Sequence, residues 1–149
     1  ENVERYNLYS EPLVLAAPRD QPLAKLSEAS LKDLDGQLVL TLEDGHCLRD
    51  ETLDYCFTAG AREDQRFQAT SLETLRYMVA SGLGITLMPQ LAVRSADEEQ
   101  GLHYVPFGSP PPSREICLLV RPNYSRMEAV RAMVACIRQA MSPLPQPQA

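Results

Sequence analysis

Cys47, Cys56, Cys117 and Cys136 have the widest chemical repertoire in this 149-residue chain. A thiol can pack in a core, ligate a metal, pair in a disulfide or, as thiolate, attack an electrophile. Four are too few for a disulfide scaffold in a chain this long, and none belongs to a CxxC pair of the zinc-ribbon type. A metal site built from His46, Cys47, Cys56 and His103 is a poor match for structural zinc, which draws its ligands from compact pairs. Neither a metal nor another cofactor is expected.

Cys47 has the setting of a nucleophile. It follows Asp44-Gly45-His46 and falls in the first turn of an expected helix, where unpaired backbone N–H groups and the positive dipole end favour an anion. That help matters, because a free thiol with a pKa near 8.5 is about 97% protonated at pH 7. His46 and Arg49 add donors close in sequence, and Arg114 is a third that the fold could bring near. Asp44, Asp50 and Glu51 act in the opposite sense if they point inward, and the sequence leaves that balance open. Cys117 in an apolar strand and Cys136 on the last helix read as core residues. Cys56 beside Phe57, judged by its own surroundings, reads the same way.

The elements that position these residues follow from periodicity and turn chemistry. Two strands are expected around Tyr6–Tyr9 and Leu13–Ala17, divided at Glu11-Pro12. A turn at Asp20-Gln21-Pro22, a short helical piece at Ser30–Leu34 closed by Gly36 and a strand over Gln37–Leu42 come next. Cys47–Ala59 reads as a helix ended by Gly60, and Phe67–Ala69 as a brief strand. Thr70 or Ser71 can cap a helix whose apolar face is Leu72, Leu75, Met78 and Val79. Gly82 and Gly84 end it before a buried strand, Ile85–Met88, stopped by Pro89. Gln90–Arg94 is a short helical turn, and polar Ser95–Gly101 a surface loop. Leu102–Phe107 and Glu115–Arg121 are strands flanking a proline-rich connection. A last helix spans about Ser125–Met141 with Met127, Val130, Met133, Val134 and Ile137 in its stripe, and Pro143–Ala149 is a fraying tail. Strands alternating with helices make an α/β sandwich with a largely parallel sheet.

With 44% apolar residues, three Phe and no Trp, the core must be aliphatic. A net charge of −6 with dispersed basic residues argues against this segment gripping a phosphate backbone. Apolar runs stop well before the roughly 18 residues that span a bilayer, and no signal peptide opens the chain, so a cytoplasmic location is the default. The start at Glu1, without Met and close to a strand, reads as a piece of a longer protein.

The run Leu72-Glu73-Thr74-Leu75-Arg76-Tyr77-Met78-Val79-Ala80-Ser81-Gly82-Leu83-Gly84-Ile85-Thr86-Leu87-Met88-Pro89 resembles a segment of the effector-binding domains of LysR-type transcription regulators. Leu42-Glu43-Asp44-Gly45-His46-Cys47-Leu48-Arg49-Asp50, with Cys56 nine positions after Cys47, resembles the redox centre of the peroxide-sensing members of that family. Ala69-Thr70-Ser71 and Arg114 extend the likeness over most of the chain. The resemblance implies an α/β fold of two subdomains like type II periplasmic binding proteins. This chain would hold mainly the second subdomain, about residues 11–120, with a C-terminal helix and tail over 121–149.

It implies further that Cys47 senses hydrogen peroxide, that Cys56 resolves it as a reversible Cys47–Cys56 disulfide, and that His46, Arg49 and Arg114 polarise thiolate or peroxide. The family's winged helix-turn-helix, which would contact promoter DNA, lies outside these residues. So do first-subdomain threonines that help hold peroxide. Homo-oligomers up to tetramers, RNA polymerase and a thioredoxin- or glutaredoxin-type reductant are the partners implied, with stoichiometric sensing rather than enzymatic turnover. A domain binding a small-molecule effector, with structural cysteines, is the other reading open to a LysR-type chain.

One constraint needs only helix geometry. Nine residues of ideal helix separate two positions by about 13.5 Å and about 900° of turn. A disulfide needs Cα atoms within about 4.4–6.8 Å. Closing Cys47 onto Cys56 therefore requires the segment between them to leave its helix.

Overall fold

The computed structural model describes residues 2–143 of the 149. The expected fraying of the tail falls, from residue 144 onward, outside the described residues. The regular elements are β1 (Glu4–Pro18), β2 (Leu38–Leu42), α1 (Cys47–Thr58), β3 (Arg62–Ala69), α2 (Leu72–Ala80), β4 (Thr86–Pro89), β5 (Leu102–Pro106), β6 (Ser113–Val120) and α3 (Met127–Ala140). Single 3-10 turns lie at Pro22–Lys25, Leu31–Leu34, Gln90–Ala92 and Ser95–Asp97. The chain divides into a larger unit, Leu13–Pro112, and a smaller one made of Glu1–Pro12 with Ser113–Ala149.

The first two expected strands are one. Proline at position 12 holds a strand-compatible φ, and β1 continues through it while changing partners. Up to Pro12 it pairs antiparallel with β6, across a bulge between Asn7 and Tyr9. From Leu13 it pairs antiparallel with β4 and β5.

The expectation of a largely parallel sheet is corrected. Parallel pairing joins β2 to β3, from Leu38 opposite Arg62 to Leu42 opposite Ala69, and isolated parallel bridges link Val39 to Ile85 and Ala29 to Phe107. The β2–α1–β3 crossover is long enough to return a strand parallel, whereas every ladder of β1 is antiparallel.

In the larger unit the core is aliphatic, as composition requires: Leu13, Leu15, Leu34, Leu40, Leu75 and Leu87 are essentially sealed from solvent. The Ser71 hydroxyl caps α2 by accepting from the Thr74 N–H at 3.1 Å, and Leu75 and Val79 point into the core. Where α2 returns toward β4, a Cβ on Gly84 would sit 3.1 Å from the Leu40 side chain, which is why the chain passes there without one.

Three further expectations are revised. β3 begins at Arg62 rather than Phe67, because pairing with β2 carries a charged run that has no strand signature of its own. The Ser95–Gly101 loop contains a 3-10 turn whose Asp97 is 2% exposed, accepting from the Tyr104 hydroxyl at 2.5 Å and facing Arg76 and Arg94. On α3, Met133 is 51% exposed and Cys136 is exposed rather than core. Both lie off the line Met127, Val130, Val134, Ile137 that packs with Leu8, Ile116 and Leu118 in the smaller unit. Cys117, on β6, is half-buried.

The end of α1 depends on one glycine. Gly60 has φ of +89°, and a Cβ there would strike the Asp35 carboxylate. Its carbonyl also accepts from the Gly36 N–H at 3.1 Å, tying the helix end to the turn before β2. Gly60→Ala should therefore destabilise the chain by about 1–2 kcal/mol, read as a lowered urea midpoint with an unchanged m-value.

Candidate functional site

Helix α1 carries both cysteines singled out in the sequence. His46 is its N-cap, with extended backbone at φ −85° and ψ 121°, and its side chain makes no capping bond. The carbonyl of His46 accepts from the Arg49 N–H at 2.9 Å, closing the first turn. Gly45, at φ +94°, supplies the reversal that sets this cap after β2.

Cys47 is the first helical residue and is exposed, so its sulfur is open to solvent at the end where the helix presents unpaired N–H groups. Cys56 is in the opposite setting. It is 0% exposed within the core that also holds Leu48 and Ala61, and burial pushes its thiol up to about 12. Both thiols are free. The helix runs unbroken from one to the other, so the ideal-helix separation of about 13.5 Å applies.

Arg49 is anchored by several partners at once. Its guanidinium donates to the Thr41 hydroxyl at 2.8 Å, the Leu42 carbonyl at 2.9 Å and both Glu63 oxygens, one of them at 3.0 Å. Its Nε lies 2.9 Å from Asp44. The Glu63 carboxylate also accepts from the Thr41 hydroxyl at 2.6 Å and from Gln68 at 3.2 Å. Hydrogen bonding by the Arg49 guanidinium holds the Glu63 carboxyl below the usual carboxylate range, and Glu63 raises Arg49 in turn. Asp44, one of the acids that would oppose a thiolate, is thus in an ion pair.

Arg114 belongs to the smaller unit. There its Nε and one terminal nitrogen each lie 2.7 Å from the same oxygen of Glu11, a carboxylate buried to 1% exposure. The structure thus places His46, Cys47, Arg49 and Cys56 on one helix or its cap, and Arg114 on the Glu11 pair. Glu63 and Thr41 are the site residues that sequence reading missed. Glu63 stands in a charged run beside Asp64, and nothing local distinguishes it from a solvated surface acid.

Other features bear on what the site can do. A gap of about 10 Å³, the space of one water, lies beneath α1 between Thr41, Leu48, Thr52 and Thr86. Among the described residues there is no cluster of His, Cys, Asp and Glu that could hold a metal ion, and no helix long and apolar enough to cross a membrane.

An α/β unit with this helix–turn–strand arrangement defines a class. Residues 1–142 match the LysR substrate binding domain, and the chain belongs to that family. Similar proteins within it include hydrogen peroxide-inducible activators. The hydrogen peroxide-inducible genes activator of Haemophilus influenzae is 49% identical over 131 residues, 86% of this chain and 44% of that protein. The DNA-binding transcriptional dual regulator OxyR of Escherichia coli is 46% identical over 134 residues, 90% of this chain and 44% of that protein. The crystal structure of the oxidised form of OxyR superposes with a TM-score of 0.81 at 44% identity, over 95% of this chain and 67% of that one. The reduced form gives 0.81 at 40% identity, over 93% and 64%. The chain spans less than half the length of these curated relatives.

Proposed function

We propose that this chain is the peroxide-sensing part of the regulatory domain of a LysR-type transcription regulator, with Cys47 as the reacting thiolate and Cys56 as the resolving thiol. The observation that carries this reading is the contrast along α1: an exposed cysteine at the anion-favouring end and a sealed, protonated cysteine nine residues on.

The chemistry balances in two steps. The Cys47 thiolate attacks one oxygen of hydrogen peroxide, the O–O bond breaks, and hydroxide leaves, giving a sulfenic acid at Cys47. His46 is proposed to protonate the leaving oxygen, and Arg49, with its permanent charge, to stabilise the negative charge that develops. The Cys56 sulfur then displaces hydroxide from the sulfenic acid, its proton leaves with that oxygen as water, and the Cys47–Cys56 bond forms. A cellular dithiol of the thioredoxin or glutaredoxin type returns two electrons and two protons and resets the pair.

Because an intact α1 cannot bring the two sulfurs together, oxidation remodels the segment between them. A local covalent event of that kind can bias a larger assembly. The output would be altered promoter binding and RNA polymerase recruitment in the cytoplasm, by a homo-oligomer whose DNA-binding domain lies outside this chain.

Peptide mapping by mass spectrometry after about one equivalent of peroxide is the test. The expected result is loss of two thiols per chain and a Cys47–Cys56 crosslinked peptide, both reversed by dithiothreitol. A Cys47 that stays a free thiol, or a crosslink that omits Cys56, overturns the reading in favour of a domain with structural cysteines.

A further inference from the structure

Helix α1 has an unusual attachment to its unit. Its polar and apolar residues are spread almost evenly around the axis, whereas α2 and α3 each present a defined apolar stripe. The buried Leu48, Thr52, Leu53 and Cys56 share one face, but that face includes a threonine and the helix leaves Phe57 exposed on another. A water-sized gap lies beneath them.

The first turn has a polar anchor beside the buried Leu48. Arg49, two residues after Cys47, is held by Glu63 of β3, Thr41 and Leu42 of β2 and Asp44 of the preceding turn. The Arg49 and Glu63 side chains are only 11% and 7% exposed, so water cannot readily replace either partner. Arg49 is also inside the Cys47–Cys56 segment, the part of the chain that must abandon helical geometry for a disulfide to close.

From this geometry we propose that the Arg49–Glu63 clamp sets the redox poise of the pair: it forms while α1 is helical, opens when the disulfide closes, and so favours the dithiol form. The inference rests on the disulfide reading above and goes beyond it by assigning Glu63 as a positioning residue. Glu63 touches no reacting atom; it acts through Arg49 on the helix that keeps the sulfurs apart.

The full chain, equilibrated in mixtures of reduced and oxidised dithiothreitol, tests this. Two electrons and two protons pass from the Cys47–Cys56 thiols to the oxidised reagent, which becomes its own dithiol, and the oxidised fraction is counted after alkylation. Glu63→Gln removes the charge from the clamp. Its half-oxidation point should move to a reduced-to-oxidised ratio about a hundredfold higher, because a buried ion pair is lost from the dithiol form alone. Arg49→Lys keeps a charge but cannot reach the same set of acceptors, and should shift the same way by less.

Urea unfolding separates this from a general loss of structure. Glu63→Gln should lower the midpoint of the reduced chain and leave that of the oxidised chain where it is. A wild-type chain that never forms the Cys47–Cys56 bond sinks the underlying reading. A wild type that forms it, with variants that share its half-oxidation point or are weakened equally in both redox forms, sinks the clamp alone. Should Glu63→Gln not fold, the Arg49→Lys shift decides the matter by the same criteria.

Discussion

Iodoacetamide at neutral pH should modify Cys47 at least about a thousandfold faster than Cys56 while α1 is intact. A thiol with a pKa of about 12 carries only about one thiolate in a hundred thousand molecules at pH 7, against about 3% for an unperturbed cysteine near 8.5. Burial adds a steric barrier in the same direction, because Cys56 is wholly enclosed. The two rates should converge once urea melts the helix. A native Cys56 that alkylates as fast as Cys47 would show that α1 does not hold it.

The same shift has a thermodynamic signature of definite sign. Burial raises the native Cys56 pKa from 9.0 to about 12, so on alkalinisation the unfolded chain gives up this proton first. Stability from the buried neutral thiol is fully present below about pH 9 and is lost as pH rises toward 12, by up to about 4 kcal/mol. Cys56→Ala should flatten that alkaline limb of a urea-midpoint profile.

Cys56→Ala should also convert the chain from a resettable sensor into one that is consumed. Peroxide would still oxidise the exposed Cys47, but no second thiol would be present to trap the sulfenic acid. Thiol loss should fall from two per chain to one, with no internal crosslink. Excess peroxide should then drive Cys47 to sulfinic and sulfonic acids that dithiothreitol does not reverse, taking recoverable thiol at that position toward zero. Cys47→Ser should instead leave Cys56 reduced under the same treatment. Full recovery of Cys47 in the Cys56→Ala chain would point to a different resolving group.

Cys47 and Glu63 illustrate how unevenly such a site is written in sequence. The position of Cys47 at a helix start follows from Asp44-Gly45-His46 ahead of it, signals confined to a few residues. Ser71, Leu75 and Val79 announce α2 in the same local way. Glu63 carries no such mark. Its strand is charged from Arg62 to Arg66 and extends only because β2 pairs with it, and its carboxylate matters only because Arg49, fourteen residues earlier, is turned toward it. Asp97 in an apparently solvated loop and Cys136 on an apparently apolar helix misled for the same reason. Their burial or exposure is decided by what packs over them, and those groups are remote in the chain.

By itself the sequence determined that two cysteines share a helix nine residues apart, that no disulfide can join them while the helix stands, and that Cys47 is the one at the helix start. Those are consequences of backbone geometry and short-range hydrogen bonding. Tertiary structure alone decided that Cys56 is sealed and protonated, that Arg49 is engaged by Glu63, Thr41 and Asp44, and that Arg114 pairs with Glu11 in the smaller unit. Burial and ion pairing depend on which distant segments the fold brings together, and no local pattern of residues encodes that.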